Sequence, residues 1–161
     1  MLNEVYNRRI LQFAADIPRI GHLDNPHGRA MAISRLCGSK VSVELCLSDG
    51  RVSDFAHDVK ACALGQPSSS IMARHIIGAT PDELHQVAAQ MRAMLKDAGP
   101  PPTGDWQDLE VLVPVRDFKS RHASTLLTFD AVEKALAMAL AEAAPAPAQA
   151  GRPSATTAVP S

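Results

Sequence analysis

The sequence predicts an α+β domain, a small antiparallel sheet with helices packed on one face. Three observations lead there. Val41, Val43, Leu45 and Leu47 alternate with Ser42, Glu44, Cys46 and Ser48, the period-two pattern of a half-buried strand. Asp49-Gly50 follows at once, a pair favoured in two-residue hairpins because both positions take a positive φ. Beyond the hairpin the pattern turns helical and stays so, and strands followed by helices are the mark of α+β rather than of alternating α/β folds.

Each element has its own signal. Over residues 3–16, Val5, Tyr6, Ile10, Phe13 and Ala14 recur at helical spacing, and Pro18 stops the helix. Residues 20–28 hold Gly21, Asn25-Pro26 and Gly28 and read as a loop. Residues 29–35 alternate weakly, as an edge strand would. After the hairpin turn a second strand runs back over residues 51–61. Direct pairing sets Leu47 against Val52 but Leu45 against Asp54, whereas one extra residue at Ser53 or Asp54 matches Leu45 with Phe55 and Val41 with Val59. A β-bulge is therefore expected there.

Pro67-Ser68-Ser69-Ser70 opens a helix that runs through Ile71 to Ile77 and ends at Gly78. Thr80-Pro81-Asp82-Glu83 is a capping box, a hydroxyl N-cap with Glu three residues on. Leu84, Val87, Ala88, Met91, Met94 and Leu95 then line one face of a helix ending near Asp97. Residues 98–105 form a Pro/Gly linker, residues 106–113 are mixed, Pro114 breaks them, and a long helix spans residues 121–143. No internal repeat is present.

At 161 residues the chain has room for one domain of about 150 residues. Residues 144–161 contain Ala, Pro, Ser and Thr with no Leu, Ile, Phe or Met, so they are expected to form a disordered tail on a domain of residues 1–143. A domain of that size needs no disulfide or metal merely to fold. With 16 basic against 17 acidic residues there is no basic domain of the kind that nucleic-acid binders show. No apolar run reaches the ~18 residues of a membrane span, and Glu4 stands where a signal peptide carries positive charge. The expectation is a soluble, cytoplasmic protein with no nucleic acid and no membrane among its partners.

Three cysteines, an odd number, argue against a disulfide framework and leave thiol or metal chemistry open. Cys37 lies twelve residues before Asp49 and Cys62 twelve residues after Gly50. Equal offsets in an antiparallel hairpin put two residues opposite each other, and a bulge shifts this by only one. The two thiols thus meet at the open end of the hairpin, as a metal-binding pair or as a buried or adventitious pair of neighbours. Cys46, mid-strand among Ser42, Glu44 and Ser48, reads as a small packing residue.

Cys37-Gly38, the hairpin, Ala61-Cys62-Ala63 and then Ser68-Ser69-Ser70-Ile71-Met72 resemble the NifU/IscU/SufU family of iron–sulfur cluster assembly scaffolds. Asn25-Pro26 and Gly28 look like that family's entry loop. Pro114-Val115-Arg116 and Arg121-x-x-Ser124-x-x-Leu127, leading into Ala131-Val132-Glu133-Lys134-Ala135-Leu136, resemble the C-terminal segment of the SufU branch. The similarity runs from about Val5 to Leu140.

The resemblance implies a non-enzymatic scaffold that binds iron, zinc or a transient iron–sulfur cluster. It also implies sulfur supplied by a cysteine desulfurase and cluster delivery to acceptor apo-proteins. The family holds its metal with three cysteines and one aspartate, the aspartate in a Cys-Gly-Asp triplet and the last cysteine three residues after an arginine. Ser39 and Ser124 stand at those two positions here, leaving Cys37 and Cys62. A serine hydroxyl is a poor ligand beside thiolate. His122 is a good ligand type two residues from Ser124, yet ~200° away around a helix unless the helix begins after it; otherwise it is a solvated or capping histidine. His57, five residues and ~16 Å of strand from Cys62, is too far. His75 and His85 are expected on helix surfaces. Lys40 and Arg121 either line the site, lowering thiolate pKa values, or are solvated cations.

Two thiols would ligate half of a [2Fe–2S] unit, with the rest from His122, a second subunit or a small thiol. Two other readings stay open: a persulfide-accepting sulfur-transfer protein, and an interaction module that binds no metal. A homodimer is among the assemblies left open.

Overall fold

The computed structural model describes residues 4–35, 38–61 and 65–143. The expected tail, Cys37 and Cys62 lie outside the described residues. The chain opens with α1 (Glu4–Ala15), followed by β1 (Gly28–Ser34), β2 (Ser39–Ser48) and β3 (Arg51–Lys60). Then come α2 (Gly65–His75), α3 (Pro81–Lys96), two 3₁₀ segments over Gly104–Asp117 and Lys119–Arg121, and α4 (His122–Ala143). The sheet order is β1-β2-β3, antiparallel throughout, as the α+β expectation requires.

The alternation in β2 does what it predicts. Val41, Val43 and Leu45 are buried, and Ser42, Glu44 and Cys46 face the other side. The expected bulge is present: Leu47 pairs with Val52, Cys46 with Asp54, Leu45 with Phe55 and Val41 with Val59, so Ser53 is the extra residue. Without it, Phe55 and His57 would leave the buried face.

Helix α4 lies against the inner face of β1 and β2. Its Ala131, Ala135 and Ala139 form a fully buried row of small side chains that lets the helix approach closely. The approach is tightest at Gly28, where a Cβ would run into the backbone carbonyl of Ala135. Around this pair the core adds Ile71, Met72, Leu84, Met91, Met94, Leu109, Leu112 and Phe129. It is a core mostly of aliphatic and Met side chains, with Phe55, Trp106 and Phe129 as its rings, in keeping with a 4% aromatic content.

Three local expectations need correction, and the Thr80 cap is borne out with an added contact. Residues 20–28 are not free loop along their whole length: Ile20 bridges His57 in parallel, His57 N–H donates to the Arg19 carbonyl and Gly21 N–H to that of His57. The edge of β3 offered unpaired groups, and residues 19–21 take them. The Thr80 hydroxyl does accept from Glu83 N–H at 3.1 Å, but Glu83 Oε2 takes the Trp106 indole N–H at 2.7 Å. The capping box thus carries a tertiary tie. The helix at residue 67 begins two residues earlier, at Gly65. Finally, Pro114 does not break its segment. The 3₁₀ turns run through it to Asp117, because Pro's φ fits that geometry and only one N–H is lost.

Candidate functional site

The open end of the sheet is built by three strand ends and two helix starts. Its last described cross-strand pairs are Ser34↔Ser39, Ile33↔Lys40 and Lys40↔Lys60. Ser39 precedes Lys40 and Ala61 follows Lys60, so both flank that final pair. Ser34 and Ser39 are buried at 4% and 2% exposure. Gly38, with φ at +71°, donates its N–H to the Ser34 carbonyl, a left-handed position that suits glycine.

Helix α2 starts against this end. A Cβ on Gly65 would lie 2.7 Å from Ala61 Cβ and 3.2 Å from the Ser124 carbonyl oxygen. Three segments meet there with no space for a side chain. Gln66 Nε2 donates to the Ala61 carbonyl at 2.8 Å, and Ser68 Oγ donates to the Thr125 carbonyl at 2.6 Å. Thr125 Oγ1 donates back to the Arg121 carbonyl. The start of α4 is thereby tied to the start of α2, and Ser124 is buried at 1% exposure beside Ala61 and Gly65.

His122 is the first residue of α4 and is 6% exposed, neither solvated nor turned toward Ser124. Its Nε2 lies 3.2 Å from the Val115 carbonyl and 3.1 Å from that of Arg116, so Nε2–H donates to both. The ring borders a surface pocket of about 290 Å³ with Leu95, Lys96, Arg116 and Lys119. Arg116 closes the end of α3 through the Met94 and Gly99 carbonyls. His122 therefore belongs to the α3 side of the helix start, while Ser124 faces α2.

The other histidines are accounted for elsewhere. His57 is buried at 1%, with Nε2–H donating to the Pro18 carbonyl at 2.8 Å and its ring 5.0 Å from Phe55. Burial pushes its pKa below the ordinary histidine value, partly opposed by the Pro18 bond and by Asp58. His75 is half-buried against Asp108 and Trp106, and exposed His85 pairs with Glu133. Cys46 Sγ donates to the Asn25 carbonyl at 3.4 Å, a loop contact in keeping with a packing role. Among the described residues no three of His, Cys, Asp and Glu come together as a metal would need.

Lys40 is half-buried and Arg121 exposed, both at this same end. Lys60 was not singled out from the sequence, though it was readable from the bulged register, since pairing Val41 with Val59 puts Lys40 opposite it. Gly65 stands out in the sequence as a glycine near Cys62 that suits a loop close to a ligand, but its three-segment contact has no local signature.

No family model matches the chain. The crystal structure of the N-terminal part of a nitrogen-fixing NifU-like protein from Brucella abortus is 55% identical, with TM-score 0.84 over 86% of this chain and 96% of the other. The iron–sulfur cluster assembly scaffold protein IscU of Thermotoga maritima is 22% identical over 132 residues, 82% of this chain and 92% of its own. A scaffold protein described for the SUF system of Fervidobacterium islandicum AW-1 shares the fold, at 20% identity and TM-score 0.72 over 80% of this chain and 93% of its own. With more than half of the aligned residues identical to the Brucella protein along almost the whole of it, this chain belongs to the NifU/IscU/SufU family of iron–sulfur cluster assembly scaffolds.

Proposed function

We propose that this protein is an iron–sulfur cluster assembly scaffold that carries iron or a nascent cluster on Cys37 and Cys62. The cluster is cargo. Sulfur comes from a cysteine desulfurase, and the product passes to acceptor apo-proteins in a reducing, cytoplasmic setting. Residues 1–143 are the working unit and residues 144–161 an appendage to it.

One observation carries the reading of the site. The sheet ends with Lys40 opposite Lys60, and the Ala61 methyl, Gly65 and the Ser124 carbonyl pack together beside that end. Cys62 follows Lys60 by two residues and Cys37 precedes Lys40 by three. At no more than ~3.6 Å per residue, the chain confines the Cα atoms of Cys62 and Cys37 to within about 7 Å of the Lys60 Cα and about 11 Å of the Lys40 Cα. Thiolates are the soft donors that iron–sulfur units require, and each loses its proton on binding. Ser39 and Ser124 offer hydroxyls in place of the family's other two donors. Two thiolates hold such cargo loosely, which suits a protein that must release what it assembles.

The test is metal and sulfide content after anaerobic purification. Iron with acid-labile sulfide is expected in the native chain and should be lost in Cys37→Ser and in Cys62→Ser, while Cys46→Ser stays loaded. Persulfide on a metal-free chain would shift the function to sulfur transfer. Zinc in place of iron would keep the ligand pair and change the cargo.

A further inference from the structure

We propose that the outer edge of β1 and the exposed ridge of α4 beside it form one self-complementary surface. A second copy of this chain docks there, about a two-fold axis through Met31. The sequence leaves a homodimer open and names no surface for it.

The two edges of the sheet differ. Along β3 the outer edge is taken up by neighbouring segments: His57 exchanges backbone hydrogen bonds with Arg19 and Gly21, and Val52 with Gly78 and Ala79. Along β1, among the described residues, the backbone of residues 29–33 bonds to β2 alone. The strand has no Pro, no Lys and no bulge, the devices that usually protect an edge. Its single charge, Arg29, pairs with Glu44 across the ladder. Met31 and Ile33 stand out from it, 49% and 58% exposed. A bare edge of this kind is a template for another strand.

Self-complementarity selects a second copy as the occupant. A two-fold axis through Met31 sets Met31 against Met31, Ala30 against Ala32 and Arg29 against Ile33, with each pair on one face of the sheet. This pairing holds whichever alternate residues of β1 turn their hydrogen-bonding groups outward. The helix layer agrees. Gly28 sits against Ala135 and Ala139, while Ala32 and Ile33 share a hollow of about 340 Å³ with Leu127, Asp130 and Lys134. Helix α4 therefore runs antiparallel to β1, and the same axis falls between Asp130 and Lys134. It brings Asp130 of each copy to Lys134 of the other, two equivalent ion pairs. Lys134 is exposed and Asp130 half-buried. Arg92 Nη2 donates to Asp130 Oδ1 at 2.9 Å and holds that carboxylate in place for the incoming lysine.

Because α4 lies over both β1 and β2, its axis is set back from the edge. With edge strands about 4.8 Å apart, that setback leaves the two α4 helices near the ~8–10 Å at which helices pack. A bare strand from another protein would cover Met31 and Ile33 but leave Lys134 unmatched. In the joined sheet the two Ser34 ends point in opposite directions, about 20 Å apart along the strand. Each copy keeps its own candidate site, so the dimer does not depend on the cargo.

The experiment is sedimentation equilibrium of the full chain from about 1 μM to about 300 μM, with hydrogen exchange of residues 29–33 followed at both limits. A reversible monomer–dimer equilibrium is expected, with exchange slowing as the dimer fills. Met31→Lys, at an exposed side chain, should weaken the dimer by about tenfold or more, because it sets two ammonium groups on the axis. Lys134→Glu should weaken it about threefold to tenfold, the scale of exposed ion pairs, and high salt should shrink that difference. Ile20→Lys, at an exposed apolar residue beside β3, should leave it unchanged. A dimer that survives Met31→Lys, or one lost in Ile20→Lys, would overturn the proposal. A monomer at every concentration would also overturn it. Slow exchange of residues 29–33 would then give the edge to a segment of the same chain, and fast exchange to a strand of another protein. Iron and sulfide loading tests the scaffold separately and is untouched by any of these results.

Discussion

At the hairpin end of the sheet the local signals and the fold agree, while at the opposite end, where Ser39 and Lys40 open β2, they conflict. Asp49 and Gly50 take φ of +54° and +75°, as a two-residue turn requires, and Ser53 bulges so that Val52 and Phe55 both stay buried. Loop residues clasp the outer face there: Leu23 N–H donates to Glu44, Leu47 N–H to the His27 ring and Cys46 Sγ to the Asn25 carbonyl. Burial raises the Glu44 pKa, yet the Leu23 bond and His22 outweigh it and leave the carboxyl below its ordinary value. The other end sets two lysines opposite each other, buries Ser34, Ser39 and Ser124, and follows with the two cysteine-bearing segments. Conflict with local rules is expected where a chain keeps chemistry rather than stability.

The sharpest way to break this contrast is to restore the missing donors. Ser39→Asp with Ser124→Cys should give a three-sulfur, one-carboxylate set and raise zinc affinity by several orders of magnitude over the native chain, in a competition titration with a chromophoric chelator. Equal affinities would mean that Ser124 does not stand with the two cysteines.

Next in size is a change toward the hairpin end. Gly28→Ala drives a methyl into the backbone of Ala135, which cannot move aside as a side chain would. Urea unfolding should show a loss of about 2–3 kcal/mol. A loss below ~1 kcal/mol would mean that α4 can lift from β1 cheaply.

The parts legible in the sequence are those coded by neighbours in the chain. The alternation in β2, the Asp49-Gly50 turn, the bulge and the Thr80 cap each follow from a few adjacent residues. What escaped came from contacts between distant segments. The Ile20↔His57 bridge, the capture of Glu83 by Trp106 and the burial of His122 under the end of α3 have no local signature. The site was legible as a set of residue types and spacings. Its packing, with Gly65 wedged against Ala61 and Ser124, was not.

A smaller, pH-dependent effect comes from His57. Its folded pKa is depressed by burial below the unfolded value of about 6.5, so its stability contribution is complete above that pH. Below it the unfolded chain binds a proton that the native ring resists, and stability falls as pH drops toward the folded pKa. Urea midpoints at pH 7.5, 6.0 and 5.0 should decline in the native chain. His57→Gln, whose amide can still donate to the Pro18 carbonyl, should flatten that decline. An unchanged slope would assign the acid sensitivity to other groups.

The smallest effect separates the two ends by sign. Arg51, at the hairpin, donates through Nη1 to the Gly78 carbonyl at 2.8 Å, so Arg51→Glu should cost about 0.5–1.5 kcal/mol. Lys60→Glu makes the same charge reversal at the other end, where it replaces a like-charged cross-strand pair with an opposite one facing Lys40. A gain of about 0.2–1 kcal/mol is expected, held to the lower part of that range by Asp58 two residues back along the strand. Raising salt should shrink the gain, because residue 60 is exposed and Lys40 only half-buried. If Lys60→Glu destabilises as Arg51→Glu does, the lysine pair is not a strain kept for function.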